Sequence, residues 1–178
     1  HVGMDEVFIL GEDSCKNGCA GQNKATLFAD EVNRLHNYLD SKNVKTWMWG
    51  DRLIDGESTG LGMWQASINE THPAIDLISK EITICDWHYK SITKTASMFA
   101  NKGFDVISCP HQVPNVAMIH LADMKEAQQS TDLVFKNHMK GILHTAWVNT
   151  SELMDAFEGK EVSEKVKGVY DTFTQLSD

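Results

Sequence analysis

From Lys24 onward the apolar residues Phe28, Val32, Leu35 and Leu39 recur at steps of four, three and four, with Asp30, Glu31, Arg34 and Asn37 between them. That spacing predicts an amphipathic helix with one face on a core, and Ser41-Lys42-Asn43 supplies a polar stop. Ahead of it, His1-Val2-Gly3-Met4 alternates into Asp5-Glu6, which predicts a strand end that stops at two adjacent carboxylates. Val7-Phe8-Ile9-Leu10 then leads into residues 11–21, where glycines and small polar residues predict a long loop of the length usually tied to function.

The pattern changes to period two at Val44–Asp51, predicting a strand with Trp47, Trp49 and Asp51 on one face and Thr46, Met48 and Gly50 on the other. Gly56, Gly60 and Gly62 break any period in residues 52–72, which places Trp64 in a loop. Residues 73–78 predict a short helix with Pro73 in its first turn. Residues 81–89 predict a strand, 91–101 a helix stopped by Lys102-Gly103, and 104–109 a strand ended by Pro110. A longer helix is expected over Pro114–Met139, with Val116, Ile119, Leu121 and Met124 on its inner side, followed by a strand over Gly141–Val148. Ser151 is the expected cap of a last amphipathic stretch reaching Leu176, whose buried set is Leu153, Phe157, Val162, Val166, Val169, Tyr170 and Phe173.

Strands and helices thus alternate strictly, which implies an α/β fold with about five parallel strands joined by helical crossovers. Strands apolar on both faces suit a sheet covered by helices. In such folds ligands meet the C-terminal ends of the strands. Those ends carry Asp5-Glu6, Trp49-Gly50-Asp51, Trp87-His88-Tyr89, Pro110-His111 and Trp147-Val148-Asn149. A single tryptophan is most simply core packing, but three of the five in this chain fall at equivalent ends, so they are read as the wall of a site.

Composition narrows the partners. The chain has 178 residues, 42% hydrophobic and 23% charged, as expected of one domain with a hydrophobic core. Its 16 basic residues against 25 acidic give a formal charge of −9, which argues against nucleic acid or an anionic membrane and favours a neutral ligand. No apolar run approaches the roughly 20 residues that span a bilayer, and no charged-then-apolar leader is present. Cys15 and Cys19, with three residues between them in the predicted loop, make half a zinc site at best, so no metal is expected; Cys85 and Cys109 read as small buried hydrophobes.

Two adjacent carboxylates become useful when their surroundings separate their proton affinities, one serving as an acid while the other stays charged. His1-x-Gly3-x-Asp5-Glu6 at a strand end, with Trp49, Trp87 and Trp147 on the strands that follow, resembles the catalytic barrel of glycoside hydrolase family 20, the β-N-acetylhexosaminidases. The wording His-Val-Gly-Met-Asp-Glu-Val is most similar to the hexosaminidase D branch. The resemblance runs over essentially the whole of residues 1–178, from the end of the fourth strand to the last helix of a (β/α)8 TIM barrel.

It implies a retaining, substrate-assisted hydrolysis of terminal β-linked GlcNAc or GalNAc, without cofactor, in which the sugar's own 2-acetamido oxygen attacks the anomeric carbon. Glu6 would be the general acid and then the base, and Asp5 would orient the acetamido group. Trp49, Trp87 and Trp147 would wall the sugar, while Asp51 and His1 would hold hydroxyls or orient the acid. Two positions depart from the family's pattern: Asn149 stands where an acidic residue is expected. Pro110-His111-Gln112 stands where a tyrosine is expected, leaving Tyr89 as its substitute.

About five strands are fewer than the eight of a closed barrel. The missing half would come from an N-terminal part of the protein, a partner copy or another chain. The competing expectations are a half-barrel that self-associates and has no activity, and a carbohydrate-binding domain that keeps the pocket without turnover. An amino-sugar glycan or glycoconjugate is the partner expected from the resemblance.

Overall fold

Four short parallel strands carry the fold. In the computed structural model, which describes residues 1–13, 15 and 18–177, they are β1 (Trp47–Trp49), β2 (Thr83–Asp86), β3 (Val106–Ser108) and β4 (Met139–Ile142). They pair in the order β1-β2-β3-β4, all parallel. Each strand therefore lies beside its sequence neighbour, and the sheet winds in one direction without reversal. Of the expected loop at 11–21, Ser14, Lys16 and Asn17 lie outside the described residues.

The helices are α1 (Lys24–Asp40), α2 (Gly56–Thr59), α3 (Thr95–Asn101), α4 (Pro114–Gln129), α5 (Leu133–His138), α6 (Thr150–Phe157) and α7 (Glu164–Ser177). Asn23 caps α1 by accepting the Thr26 N–H at 2.9 Å. The helix buries Ala25, Phe28, Ala29, Val32 and His36, while Leu35 and Leu39 of the expected stripe are only half-buried. Met48, Ile84 and Val106 stand in register across β1, β2 and β3 and face the helices. Phe28, Phe99 and Phe104 complete that core, each fully buried side chain contributing about 1.5–3 kcal/mol.

Four expectations are corrected. The His1–Glu6 stretch is not a regular strand, so the sheet has four strands where about five were expected. Val2 N–H still donates to Trp47 O at 2.9 Å and Trp49 N–H to Gly3 O at 3.0 Å, laying the stretch along β1. Positive φ at Gly3 (75°) and Met4 (71°) then turns it away before a ladder can extend.

The single helix expected over Pro114–Met139 is two. Ser130 adopts an extended conformation, and Asp132 caps the second helix by accepting the Val134 N–H at 2.8 Å. The short polar side chains of Ser130, Thr131 and Asp132 compete locally with helical hydrogen bonds and so divide the segment. Met139 consequently opens β4 and enters the core, instead of closing a helix.

The strand expected over Gly141–Val148 ends at Ile142. The chain beyond it still runs beside β3's exit, with Leu143 N–H donating to Ser108 O and Thr145 N–H to Pro110 O, both at 2.9 Å. Trp147 is thus carried on a loop. The last correction concerns the C-terminal segment, where Asn149, not Ser151, caps α6, accepting the Ser151 N–H at 2.9 Å. Of the expected buried set, Val166 and Val169 are buried, whereas Phe157 and Phe173 are nearly half exposed.

Candidate active site

Trp49, Cys85 and Ile107 share one register row on the sheet face opposite Met48, Ile84 and Val106. Continuing that alternation past the strand ends brings Asp51 and Trp87 to the same side. There the six residues Asp5, Glu6, Trp49, Trp87, Tyr89 and Trp147 line one open cleft of about 220 Å³. All six are among the residues singled out in the sequence, and they arrive from four separate stretches of chain. Larger hollows of about 690 Å³ beside Gly21 and His72, and about 540 Å³ beside Asn149 and Lys165, do not pair two carboxylates with aromatic walls.

The walls are in contact with one another. Trp49 and Trp147 have ring centroids 6.0 Å apart at 59°, and Trp87 lies 5.0 Å from Tyr89 at 37°. The Trp147 Nε1–H donates to the Tyr89 hydroxyl at 2.6 Å. That bond uses the phenol oxygen as an acceptor, so the Tyr89 O–H remains a donor. Burial raises the Tyr89 phenol above its ordinary value, opposed by hydrogen bonding with Trp147 and Thr145, so the proton stays on oxygen. His1 packs on the outer side of Trp49 with centroids 4.5 Å apart, its Nδ1 accepting the Gly3 N–H.

Asp5 and Glu6 are both exposed at the cleft. Glu6 takes a left-handed backbone conformation, φ 53°, sparsely occupied by residues with a side chain. Its N–H is held by Asp51 Oδ2 at 2.9 Å. Partial desolvation, then the negative charges of Asp5 and Asp51, raise the Glu6 carboxyl above its ordinary value, with the Arg52 charge opposing. A carboxyl raised in this way is better suited to deliver a proton near neutral pH.

Asp51 is 2% exposed, and its carboxylate is occupied by protein donors: the Glu6 N–H, Arg52 Nε–H at 2.8 Å and Trp87 Nε1–H at 3.3 Å. Burial raises its proton affinity while these three bonds oppose the rise. Asp51 thus lies inside the protein, its carboxylate beneath the Glu6 backbone. Asn149 is not among the residues lining the cleft; its side chain caps α6 beside the neighbouring hollow. Arg52, one of two arginines in the chain, was not singled out in the sequence, and its position directly after Asp51 was the available signal.

Cys15 and Cys19 are joined as a disulfide, so their sulfurs are committed to each other. Among the described residues no group of three His, Cys, Asp or Glu side chains is placed to hold a metal ion. Cys85 and Cys109 are free thiols buried beneath the cleft; hydrogen bonding with Cys85, then burial, pushes the Cys109 thiol up. Among the described residues no helix is long and apolar enough to cross a membrane.

No protein-family model matches the chain, and no curated protein matches it.

Proposed function

We propose that the chain is the C-terminal portion of a (β/α)8 barrel of the family 20 type, and that it hydrolyses terminal β-linked N-acetylhexosamine by a retaining, substrate-assisted mechanism. The observation that carries the reading is the single cleft in which Asp5 and Glu6 face Trp49, Trp87, Tyr89 and Trp147. The singly wound parallel sheet supports the barrel, since an open doubly wound sheet reverses its strand order.

In this reading the sugar ring packs its C–H faces on the indoles. Glu6 protonates the glycosidic oxygen as the 2-acetamido carbonyl oxygen closes on the anomeric carbon, forming an oxazolinium ion and expelling the alcohol. Asp5 accepts the acetamido N–H and offsets the positive charge that develops there. Tyr89 donates to the acetamido oxygen. The Glu6 carboxylate then takes a proton from water as that water attacks the anomeric carbon and breaks its bond to the acetamido oxygen, regenerating the 2-acetamido group and restoring the acid with retention of configuration.

The test is hydrolysis of an aryl β-N-acetylglucosaminide by the wild-type protein and by Glu6→Gln. Loss of a general acid and base costs about 10²–10⁴-fold in rate, so turnover is expected to fall at least about 100-fold with the circular dichroism spectrum unchanged. Equal turnover in the two proteins removes Glu6 as the acid.

A second reading, a half-barrel without activity of its own that folds by association, is favoured by the open sheet with β1 and β4 at its ends and by the exposed Ile9, Trp64 and Ile68. Sedimentation distinguishes it: a strict monomer that hydrolyses the aryl glycoside excludes it.

A further inference from the structure

Arg52 is the largest of the fully buried side chains, and the chemistry above gives it no part. Nε donates to Asp51 Oδ2 at 2.8 Å, and Nη2 donates to the carbonyl oxygens of Met63 and of Ala66, the latter at 2.7 Å. The guanidinium carbon stands 5.0 Å from the centroid of the Phe8 ring, two residues beyond the acid. One side chain therefore touches the segment after Glu6, the carboxylate beneath Glu6 and the loop that follows β1.

The Asp51 oxygens pass that anchorage into the cleft. Oδ2, the atom bonded to Arg52, also accepts the Glu6 N–H, and Oδ1 accepts the Trp87 indole N–H. A buried carboxylate without its cation would take up a proton or move toward water, and either change would cost one of these contacts. The left-handed backbone at Glu6 adds to the requirement, because a residue with a side chain stays there only where its surroundings hold it. The guanidinium is a planar fork, and a lysine ammonium could keep the charge but not bridge Asp51 and two carbonyls in the same plane.

We propose that Arg52 is a positioning residue of the cleft: by clamping the Asp51 carboxylate against the Met63–Ala66 loop, it sets where the Glu6 backbone and the Trp87 indole stand. The proposal rests on the glycosidase reading only in naming Glu6 as the acid. It also makes the loop carrying the exposed Trp64 mechanically continuous with the acid, since Trp64 packs edge-on against Phe8 with centroids 5.0 Å apart.

The experiment is hydrogen exchange by NMR on the full chain, comparing the wild type with Arg52→Lys. In Arg52→Lys the Glu6 amide and the Trp87 indole N–H are expected to exchange about tenfold faster, the effect of weakening one hydrogen bond at each, while the Ile84 and Val106 amides keep their wild-type rates. Faster exchange confined to residues 63–66 would indicate a structural role alone and overturn the proposal, as would wild-type rates at Glu6 and Trp87.

The wild-type protein supplies an arm that needs no variant. On warming, protection of the Glu6 amide, the Trp87 indole and the Arg52 Nε–H is expected to be lost together and before that of Ile84; separate losses would overturn the clamp. Neither readout requires turnover. Coupled exchange in a protein that fails to hydrolyse the glycoside removes the glycosidase reading and leaves the clamp, whereas hydrolysis with uncoupled exchange removes the clamp alone.

Discussion

Trp147 donates its indole N–H to the Tyr89 hydroxyl at 2.6 Å across a sequence separation of 58 residues, tying the loop after β4 to the loop after β2. Trp147 is otherwise 53% exposed, so this bond is a main restraint on the far wall of the cleft.

Tyr89→Phe removes the acceptor and frees Trp147. It also removes the hydroxyl that donates to the acetamido oxygen; a net loss of about 1 kcal/mol for one such bond is about a fivefold fall, expected in kcat/KM for the aryl glycoside. The Trp147 indole resonance should broaden and move, with the unfolding midpoint little changed. An unmoved resonance would show that the wall is held by other contacts.

The neighbouring charge of Asp5 helps raise Glu6, so Asp5→Asn is expected to lower the Glu6 titration midpoint, read from its carboxyl ¹³C shift. The sign carries into stability. A carboxyl whose folded proton affinity is raised binds protons more tightly in the native state, so its contribution is fully present below the unfolded pKa and is lost as pH rises through the raised value. The Glu6 contribution, read as the difference in urea midpoint between the wild type and Glu6→Gln, should therefore decline from about pH 4 upward, and more shallowly in the Asp5→Asn background.

Gly50 lies between Trp49 and Asp51 with no room for a side chain. A Cβ there would stand 2.7 Å from Ile84 Cγ2 and 2.8 Å from Phe99 Cζ. Gly50→Ala should destabilise the fold by about 1–3 kcal/mol through overpacking, measured by urea denaturation. Because the displaced strand end carries Trp49 and Asp51, ligand binding should weaken as well.

Thiol titration tests the cysteine assignment. The native, unreduced protein should show no reactive thiol, since Cys85 and Cys109 are buried and Cys15 is bonded to Cys19. Denaturation without reductant should release the two buried thiols, and reductant all four. Four thiols before reduction would contradict the disulfide.

Local patterns carried much of this protein. The step of four, three and four from Phe28 to Leu39 determined α1, because a helical period needs only neighbouring residues to reveal it. The period-two runs located β1, β2 and β3 within longer predicted segments, and their alternation separated the core row of Met48, Ile84 and Val106 from the face leading to Trp49 and Trp87. Asp5, Glu6, Trp49, Trp87, Tyr89 and Trp147 were legible as a group because parallel α/β topology sends strand ends to one side.

What the linear order could not decide was set by contacts between distant residues. Met139 joined the sheet because pairing with Val106 and burial in the core outweighed a helical continuation that Ser130 and Asp132 had already interrupted. Asn149 went to the cap of α6, where free N–H groups at the helix start needed an acceptor. Asp5-Glu6 was read from the sequence as the end of a strand. Only the tertiary structure supplied the left-handed turn at Glu6 and the buried Asp51 beneath it, a carboxylate from 45 residues away that accepts its N–H.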